Sequence, residues 1–163
     1  MSLRLPLPAL VASICVGVFT GVSGFTFVSA KGGSYMLDDP AVCVHCHIMR
    51  EDYDGWRHGS HHAVATCNDC HLPHDSLAGA LFVKASNGYH HSAAFTLQNF
   101  VEPIRIKPRN AKVLEANCLR CHAELTTEIT AHGTLGVPTD PRQGADLYGC
   151  VRCHQAVGHG PVR

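Results

Sequence analysis

The pattern Cys-x-x-Cys-His occurs four times in this chain. It reads Cys43-Val44-His45-Cys46-His47, Cys67-Asn68-Asp69-Cys70-His71, Cys118-Leu119-Arg120-Cys121-His122 and Cys150-Val151-Arg152-Cys153-His154. This is the attachment signature of c-type haem. Two thiols one helical turn apart each add to a haem vinyl group and leave a thioether bond, and the adjacent His is placed to reach the iron. Eight of the nine cysteines fall in these signatures. A zinc site would set its His several residues away, and a disulfide framework needs neither the His nor the repeated gap. The repeats therefore predict four covalently bound c-type haems, attached at Cys43, Cys46, Cys67, Cys70, Cys118, Cys121, Cys150 and Cys153. The ninth cysteine, Cys15, lies in an apolar run and reads as a buried bystander.

Of the four signatures, only the first is followed by a methionine, Met49, two residues past its His. Methionine is the other common iron ligand of c-type cytochromes and raises the reduction potential relative to His. The stretch from Cys43 to Met49 is thus read as the place where electrons enter. The bland alternative for Met49 is a core methionine.

Length bounds the fold. The chain has 163 residues, and once an apolar N-terminal segment is set aside, roughly 130 remain to hold four cofactors. That is too little protein for an ordinary hydrophobic core around each, so the cofactors must form much of the core. The expected fold is mainly α with much irregular structure: one N-terminal transmembrane helix and a compact tetrahaem domain of two haem pairs. Charge is balanced, with 13 basic and 13 acidic residues, and nothing points to nucleic acid.

No charged residue occurs from Leu5 to Ala30. About 20 apolar residues span a bilayer core, so this run is long enough to be a retained anchor. The competing reading is a signal peptide cleaved near Val28-Ser29-Ala30, although the run exceeds a typical signal core. Arg4 ahead of it favours an inside N-terminus. Gly17 and Gly21, with Gly24 one turn on, form a small-residue stripe that would suit helix packing or a homodimer within a larger complex. Such residues are also simply common in membrane helices.

The expected organisation is an anchor over 1–31, a first haem pair with a linker helix over 32–100, and a second haem pair over 101–163. Gly32 to Val42 reads as a linker that brings the first signature close to the bilayer surface, and 50–66 as a polar, His-rich stretch. A helix is predicted from Asp75 to about Phe100, capped by Asp75 or Ser76, with Leu77, Leu81, Lys84, Gly88 and His91 on one face. Pro103 and Pro108 break it. A short helix from Lys112 to Asn117 leads into the third signature, and another covers 124–131. A turn-rich loop with Gly133, Gly136, Pro138 and Gly144 precedes the fourth.

The anchor, the four signatures and Met49 resemble the NapC/NirT/NrfH family of membrane-bound tetrahaem quinol dehydrogenases. Within it, the likeness is to the branch that forms the small subunit of cytochrome c nitrite reductase. The most specific stretches are Cys43 to Met49, Cys67 to His74, and the five-residue spacings of His62 and His159 to Cys67 and His154. The resemblance implies Met49, rather than His47, as protein ligand of the first haem. It implies His71, His122 and His154 as proximal ligands of the second, third and fourth. His159 would be distal on the third haem and His62 on the fourth, and a lysine of the catalytic partner would fill the far side of the second. It also implies a quinol site formed partly by Lys84 and by an aspartate whose position falls on His91. A one-residue slip would put His90 there, and His91 could instead bind iron. A neutral imidazole can still take a quinol proton.

These readings imply a cytochrome of the cytoplasmic membrane with its haem domain on the periplasmic face. It would oxidise menaquinol and pass electrons to a pentahaem catalytic subunit that reduces nitrite to ammonium, with membrane lipid as a further partner. The alternatives are a quinol dehydrogenase for another periplasmic reductase and a soluble periplasmic electron carrier. The alternative for His62 and His159 is that they are ordinary surface residues, and His132 is the reserve for a distal position. His45, His58, His61, His74 and His90 read as filler, second-rank or surface residues.

Overall fold

The computed structural model describes residues 6–131 and 149–160. It divides into two compact units, Met1–Leu37 and Asp38–Arg163. Among the described residues, regular structure is helical and there is no strand. The loop expected before the fourth signature, and with it His132, lies outside the described residues.

In the first unit, α1 spans Leu7–Ser29, with proline in its first turn. Proline is preorganised for that position because the N–H it lacks would be unpaired there anyway. At about 1.5 Å per residue its 23 residues are long and apolar enough to cross a hydrocarbon core. None of its residues is buried by protein. Cys15 is accordingly exposed, not buried as the apolar run suggested, because no second element of this unit covers it. Gly17, Gly21 and Gly24 likewise have open space where a side chain would stand. Lys31 turns the chain with a left-handed φ of 52°, and a short 3-10 segment, Gly32–Met36, follows.

In the second unit, two 3-10 turns, Pro40–His45 and His47–Met49, carry the first signature. They lead into α2, Arg50–Arg57, then α3, Cys67–His71. Helix α4 is Leu77–Leu97, and the Ser76 side chain accepts from Gly79 N–H at 3.1 Å, so one of the two expected caps is the one used. Helix α5, Pro108–Ala131, carries the third signature, and α6, Gly149–Cys153, begins the fourth.

Two helices differ from expectation. Pro108 opens α5 instead of lying in the break before it, again as proline suits a first helical turn. The two short helices expected around the third signature are one helix, kinked at His122 (φ −114°, ψ 18°). The polar stretch after Met49 contains α2. Its only large apolar side chains, Tyr53 and Trp56, are three apart and pack with ring centroids 5.6 Å apart, too short a pattern to read as periodicity.

Little of the core is polypeptide. Among the described residues only Leu72, Val83 and Ala111 are buried apolar side chains, with Glu115 and Asn117 buried beside them. The packing that matters is α3 on α5, and polar bonds hold it. Asn117 Nδ2 donates to Cys70 O at 2.9 Å and to Leu72 O at 2.7 Å, satisfying carbonyls at the C-terminal end of α3 that have no intrahelical donor. Replacing Asn117 by leucine strands them in a buried place and is expected to cost about 1–3 kcal/mol. Denaturant unfolding of the holoprotein measures this, and an unchanged midpoint would refute it.

Candidate haem-binding site

The signatures share a local design with one exception. In α3 and α6 both cysteines lie three residues apart on one helix face, and the helix ends at or just before the His: Leu72 after His71 is extended, and His154 N–H closes back on Cys150 O at 2.9 Å. In α5 the kink falls on His122 itself. The first signature is not α-helical, since Cys46 is extended (φ −89°, ψ 114°) between its two 3-10 turns. Beyond this break His47 is exposed and Met49 half-buried. Helix α3 is started by Asp69, whose Oδ2 accepts from Thr66 N–H and from Thr66 Oγ1, both at 2.8 Å. The Thr66 amide is the main reason its carboxyl is held below the usual range.

Thiols of different signatures meet. Cys43 and Cys67 are hydrogen-bonded to each other. This contact, helped by Lys84, brings the Cys43 thiol down to about 7 against the effect of burial, while the same contact and burial push Cys67 up. Cys118 and Cys150 form a second such contact; burial first, then Cys150, pushes Cys118 up to about 12. The buried Glu115 carboxylate accepts from Cys150 N–H at 3.2 Å and from its Sγ at 3.3 Å. None of the eight signature thiols is in a disulfide. Thiols paired at this spacing with a His beside each pair are the donor set that covalent haem needs, so the residues present fit that group.

The expected quinol-site residues are placed as follows. Lys84, only 11 % exposed along its side chain, reaches Asp38 Oδ1 at 3.4 Å, and Asn68 of the second signature donates to the same oxygen at 2.5 Å. The Asn68 bond is the leading reason the Asp38 carboxyl is lowered. His91 lies two turns along α4 from Lys84. It is an exposed residue, and lost hydration, with Lys107 and His90 adding to the effect, lowers its pKa. It is also within electrostatic range of His71.

The remaining His are arranged in ring contacts. His71 stacks on His159 with centroids 5.9 Å apart and an interplanar angle of 29°. Burial first, then His159, lowers the His71 pKa to about 4. His159 Nδ1 donates to Asp52 Oδ1 at 3.0 Å, and that bond is the main cause of the lowered Asp52 carboxyl. His62 is exposed and packs edge-on to Trp56 at 4.8 Å, and Trp56 Nε1 donates to Ala65 O at 3.0 Å. The ring against His122 is that of His61, at 6.0 Å. His154 is exposed. Sequence reasoning missed Asp52, Asn117 and Glu115, because an acid or amide that acts through a tertiary contact has no motif.

Comparison with known proteins agrees with this arrangement. The pattern of the NapC/NirT cytochrome c family, N-terminal region, matches residues 7–163. The cytochrome c-type protein NrfH of Wolinella succinogenes is 33% identical over 153 residues, covering 94% of this chain and 84% of the relative. The cytochrome c nitrite reductase subunit NrfH of Nitratidesulfovibrio vulgaris is also 33% identical over 153 residues, with 93% and 86% covered. Among solved structures, a chain of the cytochrome c nitrite reductase NrfHA complex bound to the HQNO inhibitor is similar at 28% identity and a TM-score of 0.62, over 92% of each chain. A helical scaffold that brings free signature thiols together, and a family pattern that runs over nearly its whole length, place this chain in the NapC/NirT cytochrome c family, a family of electron-transfer cytochromes with covalently bound haem.

Proposed function

We propose that the chain is a membrane-anchored quinol dehydrogenase that oxidises menaquinol and passes electrons to the catalytic subunit of a cytochrome c nitrite reductase. The observation that carries this reading is Lys84: a nearly buried cation whose field reaches Cys43, in the one signature that has a methionine two residues past its His. The relatives named for nitrite reductase, and the neighbouring structure solved with an inhibitor bound to its complex, support the partner. Segment 1–31 is the anchor in the cytoplasmic membrane, 32–100 holds the first haem pair and 101–163 the second, on the periplasmic side. The thiol contacts Cys43–Cys67 and Cys118–Cys150 support that pairing.

The eight signature cysteines would hold four haems. Met49, His71, His122 and His154 would be the near ligands, with His159 and His62 on the far side of the third and fourth. Haem supplies one-electron storage at each iron, so an array can divide the electron pair of a quinol. The chain's own work is placement. Lys84, steadied by Asp38, would orient a quinol oxygen. His91, kept neutral near pH 7 by its lowered pKa, would accept a proton from the quinol hydroxyl.

The test is purification from membranes under mild detergent. A haem-containing nitrite reductase should co-purify, and the complex should reduce nitrite at the expense of a menaquinol analogue. Co-purification of a different terminal reductase, or recovery of a mature protein lacking residues 1–30, would replace this reading with one of the alternatives.

A further inference from the structure

Helix α2 is shaped to receive the C-terminal tail. Asp52 and Gly55 lie three residues apart and so share one face of the helix, and Gly59 sits in the turn just past its end. At Gly55 any side chain would collide with the backbone carbonyl of His159. At Gly59 a Cβ would lie 3.3 Å from Gly158 O. The missing side chains let the tail lie directly on the helix. There Asp52 Oδ1, on the same face, accepts the His159 Nδ1 proton at 3.0 Å, and the tail turns away through Gly160, whose φ is +74°. Both polar partners are partly shielded, with Asp52 37 % and His159 46 % exposed along their side chains.

We infer that α2 is a cradle for His159, and that Asp52 is a positioning residue which sets that imidazole's tautomer and its strength as an iron ligand. A carboxylate on Nδ1 leaves Nε2 as the lone-pair nitrogen and orients it, as outer partners of metal-bound His commonly do. It also makes the ring more electron-rich, which favours the ferric state. The inference rests on the proposed role of His159 as an axial ligand.

The experiment uses the full-length holoprotein in detergent, with Asp52→Asn, Asp52→Glu, Gly55→Ala and His159→Gly variants. Each is followed by redox titration of the haem bands and by electron paramagnetic resonance. Asparagine can still accept from Nδ1 but carries no charge. Asp52→Asn should therefore leave the parent's low-spin signals in place, yet shift one midpoint upward by about tenfold in the reduction equilibrium, or about 59 mV for one electron. Asp52→Glu should recover most of that shift. Gly55→Ala should displace the tail and turn the same haem partly high-spin. His159→Gly should turn it fully high-spin. If His159→Gly leaves the parent's low-spin signals undiminished, the ligand reading itself fails. If His159→Gly has its effect but Asp52→Asn leaves every midpoint in place, the ligand reading stands and the inference about Asp52 is overturned.

Discussion

A Cys43→Ala/Cys46→Ala chain is expected to purify with three covalent haems in place of four and to lose quinol oxidation entirely. The two thioether bonds are the only covalent hold the chain has on that cofactor. Once they are gone, the proposed ligand Met49, a single weak sulfur donor, would be the remaining attachment, on a segment of 3-10 turns with no buried residue. The other three signatures lie on helices α3, α5 and α6, and their chemical reduction should persist. Intact mass and the alkaline pyridine haem spectrum report the count; four haems in the double variant would contradict the assignment of this pair.

The second large effect is expected at the quinol site. Exchanging Lys84 and His91 together for alanine should slow menaquinol-driven haem reduction by about a hundredfold, the lower range for removing a positioned proton acceptor. Reduction by dithionite should be untouched, because that reagent needs neither an oriented hydroxyl nor a base. Single variants separate the two roles. Lys84→Ala should act mainly on apparent quinol affinity, since it removes a donor that binds the substrate and the oxidised product alike. His91→Ala should act mainly on turnover and flatten the acid limb of the pH profile, because a neutral imidazole is the form that accepts. Equal quinol kinetics in the double variant and the parent would remove this site from consideration.

Several parts of this molecule are legible in its sequence. The haem signatures are contiguous and obey a covalent geometry, so their spacing alone specifies the chemistry. The long apolar run of α1 and the Ser76 cap of α4 are likewise local, and both stand as read. What stayed hidden is tertiary. Asn117 looked like an ordinary residue ahead of a cysteine, yet it holds the end of α3 through two carbonyls 45 and 47 residues away. Asp52 lies in a stretch that reads only as polar and His-rich, because α2 is eight residues long and carries too few apolar positions to declare a period. Pro108 was read as a breaker although proline both ends and begins helices, and only the chain beyond it decides which.

The sulfur contacts between signatures bear on how such a chain can be made. Cys43 lies against Cys67 and Cys118 against Cys150, so the haem-free polypeptide holds two ready-made opportunities for oxidation across signatures. A crosslink at either would consume one thiol from each of two attachment pairs and disable both. On the proposed periplasmic placement, an oxidising compartment, maturation is a race in which a thiol reductant keeps the sulfurs available until the last porphyrin has been fastened.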